Sequence, residues 1–384
     1  MSKLQRFENI IFFLTLLFLP TQLGRHFWPD FSFVYSLPID YLSPVFYFWD
    51  ILVGLLFFIF LLHKGHINRI ALNLVFFFIL TQGVSLLTSV NLGAGFVRLE
   101  QYLIVSFFGI YLASINLKEV KKIIFWGLTL AVMGESALAI AQFIKGGTVG
   151  FWILGERSFS LSTPGIAKFD FYGLEFLRPY GTFPHPNVLA AFCVIVAILL
   201  RGKLTFVAAS LTIFLTVSRT AILAGIVSAL WLLNKKWRLL FLTLLIILLP
   251  ILYTRFSSTF NFDVLSFVRR EEQAEIAIKM WLQSPLLGVG LNNFIPAASD
   301  QLLAGPSRFL QPVHNIFLLA LAETGIIGLT GLIVLIGYPI RKRRLLPIWL
   351  VIIFLGMFDH YFLTLPQGYH LLFLVWGISL SMLE

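Results

Sequence analysis

A chain of 384 residues that is 59% hydrophobic and only 12% charged, with a mean hydropathy of +0.91, lies far outside the soluble range, where about a quarter of residues are charged. No aqueous fold hides that much apolar surface, so the sequence reads as an all-α, polytopic integral membrane protein. The net charge of +10 is then a question of topology and gives no argument for a nucleic-acid partner.

Spanning hydrocarbon takes about 20 apolar residues per helix, and twelve candidate spans follow in chain order: 9–23, 43–62, 68–88, 101–117, 121–143, 186–200, 203–217, 219–233, 238–253, 314–338, 345–360 and 368–383. The first follows Lys3 and Arg6 and looks like a secretory leader. The bulky stretch from Gln22 to Trp28 offers no small-residue cleavage site, however, so an uncleaved span is expected. The single cysteine, Cys193, sits in an apolar run and leaves no disulfide framework. Threading the spans puts Lys3, Arg6, Lys64, Arg69, Lys118, Lys121, Lys122, Arg201, Lys203, Lys235, Lys236, Arg238 and the run Arg341 to Arg344 on one face. The positive-inside rule makes that face, and both termini, cytoplasmic. The other face receives two long segments, 144–185 and 254–313, whose basic residues are mainly arginine. No repeat or separate soluble domain interrupts residues 1–384. Within the second loop, Ala274, Ala277, Ile278 and Trp281 recur at helical spacing beside Arg269, Arg270, Glu271 and Lys279, the pattern of an amphipathic helix at the outer interface.

Loops longer than about 12–15 residues are uncommon unless functional, and four outer stretches stand out. They are Arg178 to Asn187, Ser218-Arg219-Thr220, Arg269-Arg270 through Trp281 to Pro285–Phe294, and His314-Asn315 through Glu323 to Gly328. Several guanidinium groups at a membrane boundary match a pyrophosphate at headgroup level, because arginine offers planar bidentate donors. A single snorkelling or loop-bracing arginine would look the same in sequence. Arg219 is distinguished by its short connection, which holds a charge close to the bilayer. His314 is the candidate acid, base or hydroxyl-orienting group; a histidine at a helix start is the structural alternative. Asn315 either orients that ring or caps the helix after it. Glu135, inside the fifth span, is a functional candidate or a partner of a neighbouring helix. Asp359-His360-Tyr361, with Pro366-Gln367-Gly368, forms a further polar cluster in the last outer loop. Paired cysteines and the usual His and acidic ligand spacings are missing, so metal-independent chemistry is expected. Gly288-Val289-Gly290 is too short for a dinucleotide fingerprint, and no cofactor is expected.

In order and sidedness these stretches resemble the O-antigen ligase family, membrane glycosyltransferases that share a core with the Wzy-type polymerases. The resemblance spans 178–328 and rests on Arg178…Gly181-Thr182-Phe183…Pro186-Asn187…Ala190, Ser218-Arg219, Arg270…Trp281…Pro285…Gly288-Val289-Gly290…Phe294 and His314-Asn315…Glu323…Gly325…Gly328. It implies a GT-C-like fold with a large late outer loop. It also implies inverting, metal-independent transfer of a glycan from undecaprenyl pyrophosphate to an acceptor hydroxyl at the outer face of the bacterial inner membrane, in cell-surface polysaccharide or lipopolysaccharide synthesis. By the same resemblance Arg219, Arg270 and Arg178 hold the donor pyrophosphate and His314 stands at the reaction centre. Asn315, Asn187, Glu323, Arg269, Asp359 and His360 are the supporting candidates, the last two from outside the motif set. Family members act on lipid, glycan or protein acceptors, so the acceptor stays open. A Wzy-type polymerase is the neighbouring alternative. A lipid-glycan flippase or transporter is the alternative of another class, although transporters carry paired repeats around a mid-membrane site.

Overall fold

The computed structural model describes residues 2–62, 65–171, 173–232, 236, 238, 242–243, 264–305, 310–341 and 345–382. Most of the ninth expected span, the start of the second long loop, Lys64, Lys235 and the run Lys342 to Arg344 lie outside the described residues.

The chain is mostly helical. Its first five helices are α1 (Lys3–Leu17), α2 (Phe48–Leu62), α3 (Arg69–Val84), α4 (Leu92–Ser114) and α5 (Leu117–Lys145). Asparagines start three of them: the Oδ1 atoms of Asn68, Asn91 and Asn116 accept the N–H groups of Ala71, Ala94 and Lys118. Such caps satisfy amide groups that the first helical turn leaves unpaired. There follow α6 (Pro186–Leu200), α7 (Lys203–Thr216), α8 (Arg219–Leu232), α9 (Val264–Gln283), α10 (Phe294–Ala304), α11 (Ile316–Ile340), α12 (Leu346–Phe358), the single turn α13 (Tyr361–Thr364) and α14 (Pro366–Ser381). Among the described residues, four helices are long and apolar enough to cross a membrane: Arg69–Thr88, Leu92–Ser114, Leu117–Lys145 and Ile316–Ile340. Five shorter apolar helices accompany them.

Three differences from the expected spans have physical causes. The span placed at 101–117 begins at Leu92, which brings Arg98 inside the helix. Its guanidinium is buried but satisfied, Nη1 donating to Thr364 O at 2.8 Å and Nη2 to Asn292 Oδ1 at 3.3 Å. The last helix is buried from Pro366 through Leu380, because it runs through the centre of the bundle against α4, α6 and α11. His370 stacks on Trp49 there, with ring centroids 3.6 Å apart. Finally, among the described residues three two-stranded antiparallel sheets, β1–β4 (Gly24–His26, Val45–Tyr47), β2–β3 (Phe33–Val34, Leu37–Pro38) and β5–β6 (Lys168–Phe171, Leu174–Leu177), lie between helices of the expected all-α chain.

Several of the longer connections are tied to one another. Thr21 Oγ1 donates to Leu154 O, Gln22 Nε2 to Thr182 O and Asn293 Nδ2 to Asn91 O. Tyr35 reaches Asp300, and Arg157 pairs with Asp40. Glu135 is spent on this packing: its carboxylate accepts the Thr182 N–H at 2.8 Å and the Thr182 hydroxyl at 2.6 Å. Glu156 likewise accepts the N–H groups of Val149, Gly150 and Phe151, and Gln142 bridges it to Tyr180 and Gly181.

Candidate functional site

The glycine-containing motifs build the scaffold of the site. Helix α11 breaks at Gly325, whose φ of 61° and ψ of −164° belong to a region essentially reserved for glycine. The break frees backbone groups that Pro285–Gly290 then satisfies. Val289 N donates to Ala322 O (3.0 Å), Gly290 N to Glu323 O (2.8 Å), Ile326 N to Pro285 O (2.9 Å) and Ile327 N to Leu286 O (3.2 Å). A Cβ at Gly288 would sit 2.4 Å from the Glu323 carbonyl carbon, which is why a side chain is excluded. Glu323 belongs to this joint: it is buried, and Oε1 accepts the Phe294 N–H at 3.1 Å. Asn315 caps α11 by accepting from Phe317 and Leu318, and its Nδ2 donates to Met357 O, tying α11 to the end of α12.

The amphipathic helix expected in the second loop is α9, rotated from the expected face. Gln273, Ile276, Ala277 and Met280 are buried, and α9 packs on α11, whereas Ile278 is 43% exposed. Neighbouring stripes of one helix share much of the same spacing, and only packing chooses between them. Gln273 follows Arg269 by one turn and carries the contact that matters. Its Oε1 lies 2.7 Å from His314 Nδ1, and its Nε2 donates to Gln311 O at 3.3 Å.

Across from His314 stand Asp359 and His360, in the connection between α12 and α13. The two histidine rings meet edge to face with centroids 5.1 Å apart, and Tyr41 lies against His360 at 5.6 Å. Asp359 Oδ1 accepts the His360 N–H at 2.8 Å, and Oδ2 is 3.5 Å from Asn187 Nδ2. Asn187 Oδ1 in turn accepts from Arg178 Nη2 at 2.7 Å, while Arg178 Nε donates to Thr216 O at 2.6 Å. One run of polar contacts therefore crosses the site from α7 to Asp359, beside the pair that His314, before α11, makes with Gln273 on α9.

Arg178 thus braces the two-residue turn between α7 and α8. Val217 in that turn has a φ of 48°, a left-handed conformation costing about 1–3 kcal/mol, which marks the turn as constrained. Arg219 follows it as the first, exposed residue of α8. Burial, followed by the charge of Arg219, lowers the pKa of Arg178 to about 10. Burial pushes His360 down to about 3 and His185, the cap of α6, down to about 4, with Asp359 opposing both shifts. His314 is lowered by burial, raised by Asp359, and lowered further by Arg270 and Arg269. Burial alone would raise Asp359, but His360, His314 and His185 hold it below the usual carboxylate range. At neutral pH the cluster is therefore a carboxylate among neutral imidazoles, rimmed by arginines.

Of the expected residues, the fold brings together His314, Asp359, His360, Asn187 and Arg178. Arg270, Arg269 and Arg219 lie within electrostatic reach of them. Asn315 and Glu323 serve the scaffold instead. Sequence reasoning missed Gln273 and His185; the one-turn step from Arg269 to Gln273 was the available signal. His314, Asp359 and His360 also present ligand atoms within 4.8 Å of one another, a set hidden from spacing rules because its members come from two distant segments. Two imidazoles and a carboxylate suit a transition metal or zinc. The surrounding arginines oppose added positive charge and suit an anion.

Bundle and site together define a membrane protein with a polar, arginine-rimmed histidine–aspartate centre at one end. Within that class, residues 204–333, from α7 into the broken helix α11, match the family model described as O-antigen ligase. The match includes Arg219, Arg269, Arg270, Gln273 and His314, and supports ligase- or polymerase-type function in polysaccharide biosynthesis. Arg178, Asn187, Asp359 and His360 lie outside it. No curated protein matches the chain.

Proposed function

We propose that the protein is an O-antigen ligase-like glycosyltransferase that moves a glycan from undecaprenyl pyrophosphate to an acceptor hydroxyl, with inversion and without a metal, at the outer face of the plasma membrane. Both termini are then cytoplasmic. The observation carrying this reading is the His314 imidazole, paired with Gln273 and facing Asp359 and His360, within a matched domain that also supplies Arg219, Arg269 and Arg270. Arg219 and Arg270 receive the donor pyrophosphate, and Arg178 supports them by holding the α7–α8 turn.

The lipid chain runs along α8. A cavity of about 420 Å³ lined by Val194, Ile198, Phe206, Phe214, Ile222 and Ile226 begins one turn from Arg219. A second, of about 280 Å³, lies between α8 and α12. The acceptor oxygen attacks the anomeric carbon as its proton passes to His314. The C–O bond to the diphosphate breaks, and its electron pair leaves with the lipid diphosphate. Arginines already in place stabilise the charge as it develops, and a positioned base contributes about 10²–10⁴ in rate.

Reconstitution with an undecaprenyl-pyrophosphate glycan and candidate acceptors tests the reading. His314→Ala and Arg219→Ala should each abolish most transfer, and full activity in both variants refutes the site. Repeat-unit ladders would identify a Wzy-type polymerase. A single glycan on a foreign lipid or protein identifies a ligase, whereas movement of the unreacted donor across the bilayer identifies a flippase.

A further inference from the structure

His314 contacts Gln273, a side chain with no charge and no exposure, and the chemistry of that contact fixes where the imidazole proton sits. The peptide carbonyl of Gln311 can only accept a hydrogen bond, so the group of Gln273 facing it at 3.3 Å is the amide NH₂. The other end of the amide, Oε1, therefore faces His314, and a carbonyl oxygen can only accept. His314 Nδ1 must be the protonated nitrogen in the 2.7 Å contact. In the neutral ring this leaves Nε2 bare.

From this chain of donors and acceptors we infer that Gln273 is a positioning residue that locks His314 in the Nδ1-protonated tautomer and reserves Nε2 to accept the proton of the incoming hydroxyl. The inference rests on the proposed transfer reaction. It deepens that proposal by naming what orients the base, a role that hydrogen-bond partners of functional histidines commonly fill. An amide is suited to this cationic rim: it directs the proton without adding a charge that would stabilise the imidazolium and leave the ring already protonated at the working pH. The charged and titratable groups around the ring are Arg269 and Arg270 on α9, Asp359 and His360 after α12, and His185 before α6.

Three variants and one spectrum test the assignment. Gln273→Leu keeps the volume and loses the acceptor, so kcat should fall by roughly 10–10⁴-fold, the range over which a misplaced tautomer acts, with the donor KM little changed. Gln273→Glu keeps an acceptor and adds a charge, which should raise the His314 pKa by roughly one unit or more and move the acid limb of kcat/KM to higher pH by the same amount. Histidine ¹⁵N shifts of the wild-type protein in lipid, with the His314 signal assigned by its loss in His314→Ala, should show protonated Nδ1 and bare Nε2. The reverse tautomer, or Gln273 variants with wild-type kcat and pH profile beside an inactive His314→Ala, overturns the inference. A fully active His314→Ala overturns the transfer site itself. The spectrum needs no Gln273 variant to fold.

Discussion

Replacing Arg178 separates a bracing role from a binding role. Arg178→Ala removes the bonds from Nε to Thr216 O and from Nη2 to Asn187 Oδ1, 2.6 and 2.7 Å long. A hydrogen bond to a charged donor contributes about 1.5–3 kcal/mol, so losing two costs about 3–6 kcal/mol. Relaxing the left-handed Val217 returns about 1–3 kcal/mol of that, leaving a net loss centred on about 2.5 kcal/mol. Arg178→Lys should recover only part of the loss, because an ammonium cannot reproduce the planar fork. Arg219 is exposed, so Arg219→Ala should destabilise the protein less than Arg178→Ala while raising the donor KM at least about tenfold through the lost phosphate contact. Thermal unfolding in detergent, followed by tryptophan fluorescence, and transfer kinetics on the same preparations read both quantities. If Arg178→Ala unfolds like wild type, or Arg219→Ala is the less stable of the two, the division between brace and binder is wrong.

Because burial holds His314 below its ordinary value against the pull of Asp359, the acid limb of kcat/KM should fall below about pH 6.5. Asp359→Asn removes the raising charge and should move that limb lower still; a shift upward contradicts the assignment. His185 and His360 titrate near 4 and 3 in the folded protein against about 6.5 unfolded. The unfolded chain therefore takes protons first as pH falls. Stability should be complete above about pH 6.5 and decline toward pH 4; a flat melting temperature between pH 7 and 4.5 would exclude this. Gly325→Ala places a Cβ 2.3 Å from the Leu286 carbonyl carbon at a glycine-only backbone and should cost more than about 3 kcal/mol. Gly337→Ala in the same helix meets nothing within 4 Å and should be neutral or stabilising by up to about 1 kcal/mol. Glycan transfer should survive chelation of divalent cations, and its loss with recovery on adding zinc or manganese would assign a metal to His314, Asp359 and His360.

Hydropathy alone established the membrane character, the helical class and most helix positions, because a lipid-facing helix announces itself by local apolar content. The polar motifs were also legible: Arg178, Arg219, Arg269, Arg270 and His314 stand out as costly residues beside apolar runs. Their roles were not legible. The span drawn from 101 left Arg98 outside it, because sequence does not display Thr364 and Asn292, the partners that satisfy it. Gly288 and Gly325 read as parts of a functional motif, and only the docked backbone of Pro285–Gly290 explains them as two halves of one joint. Asp359 and His360 read as a separate cluster until the packing of α12 against α6 and α11 carried them to Asn187 and His314. Spacing records which residues share a helix face. Which faces meet is decided by packing between segments far apart in the chain, and so the proton on His314 was settled by Gln273 and Gln311, from two parts of a loop that the sequence could only mark as long.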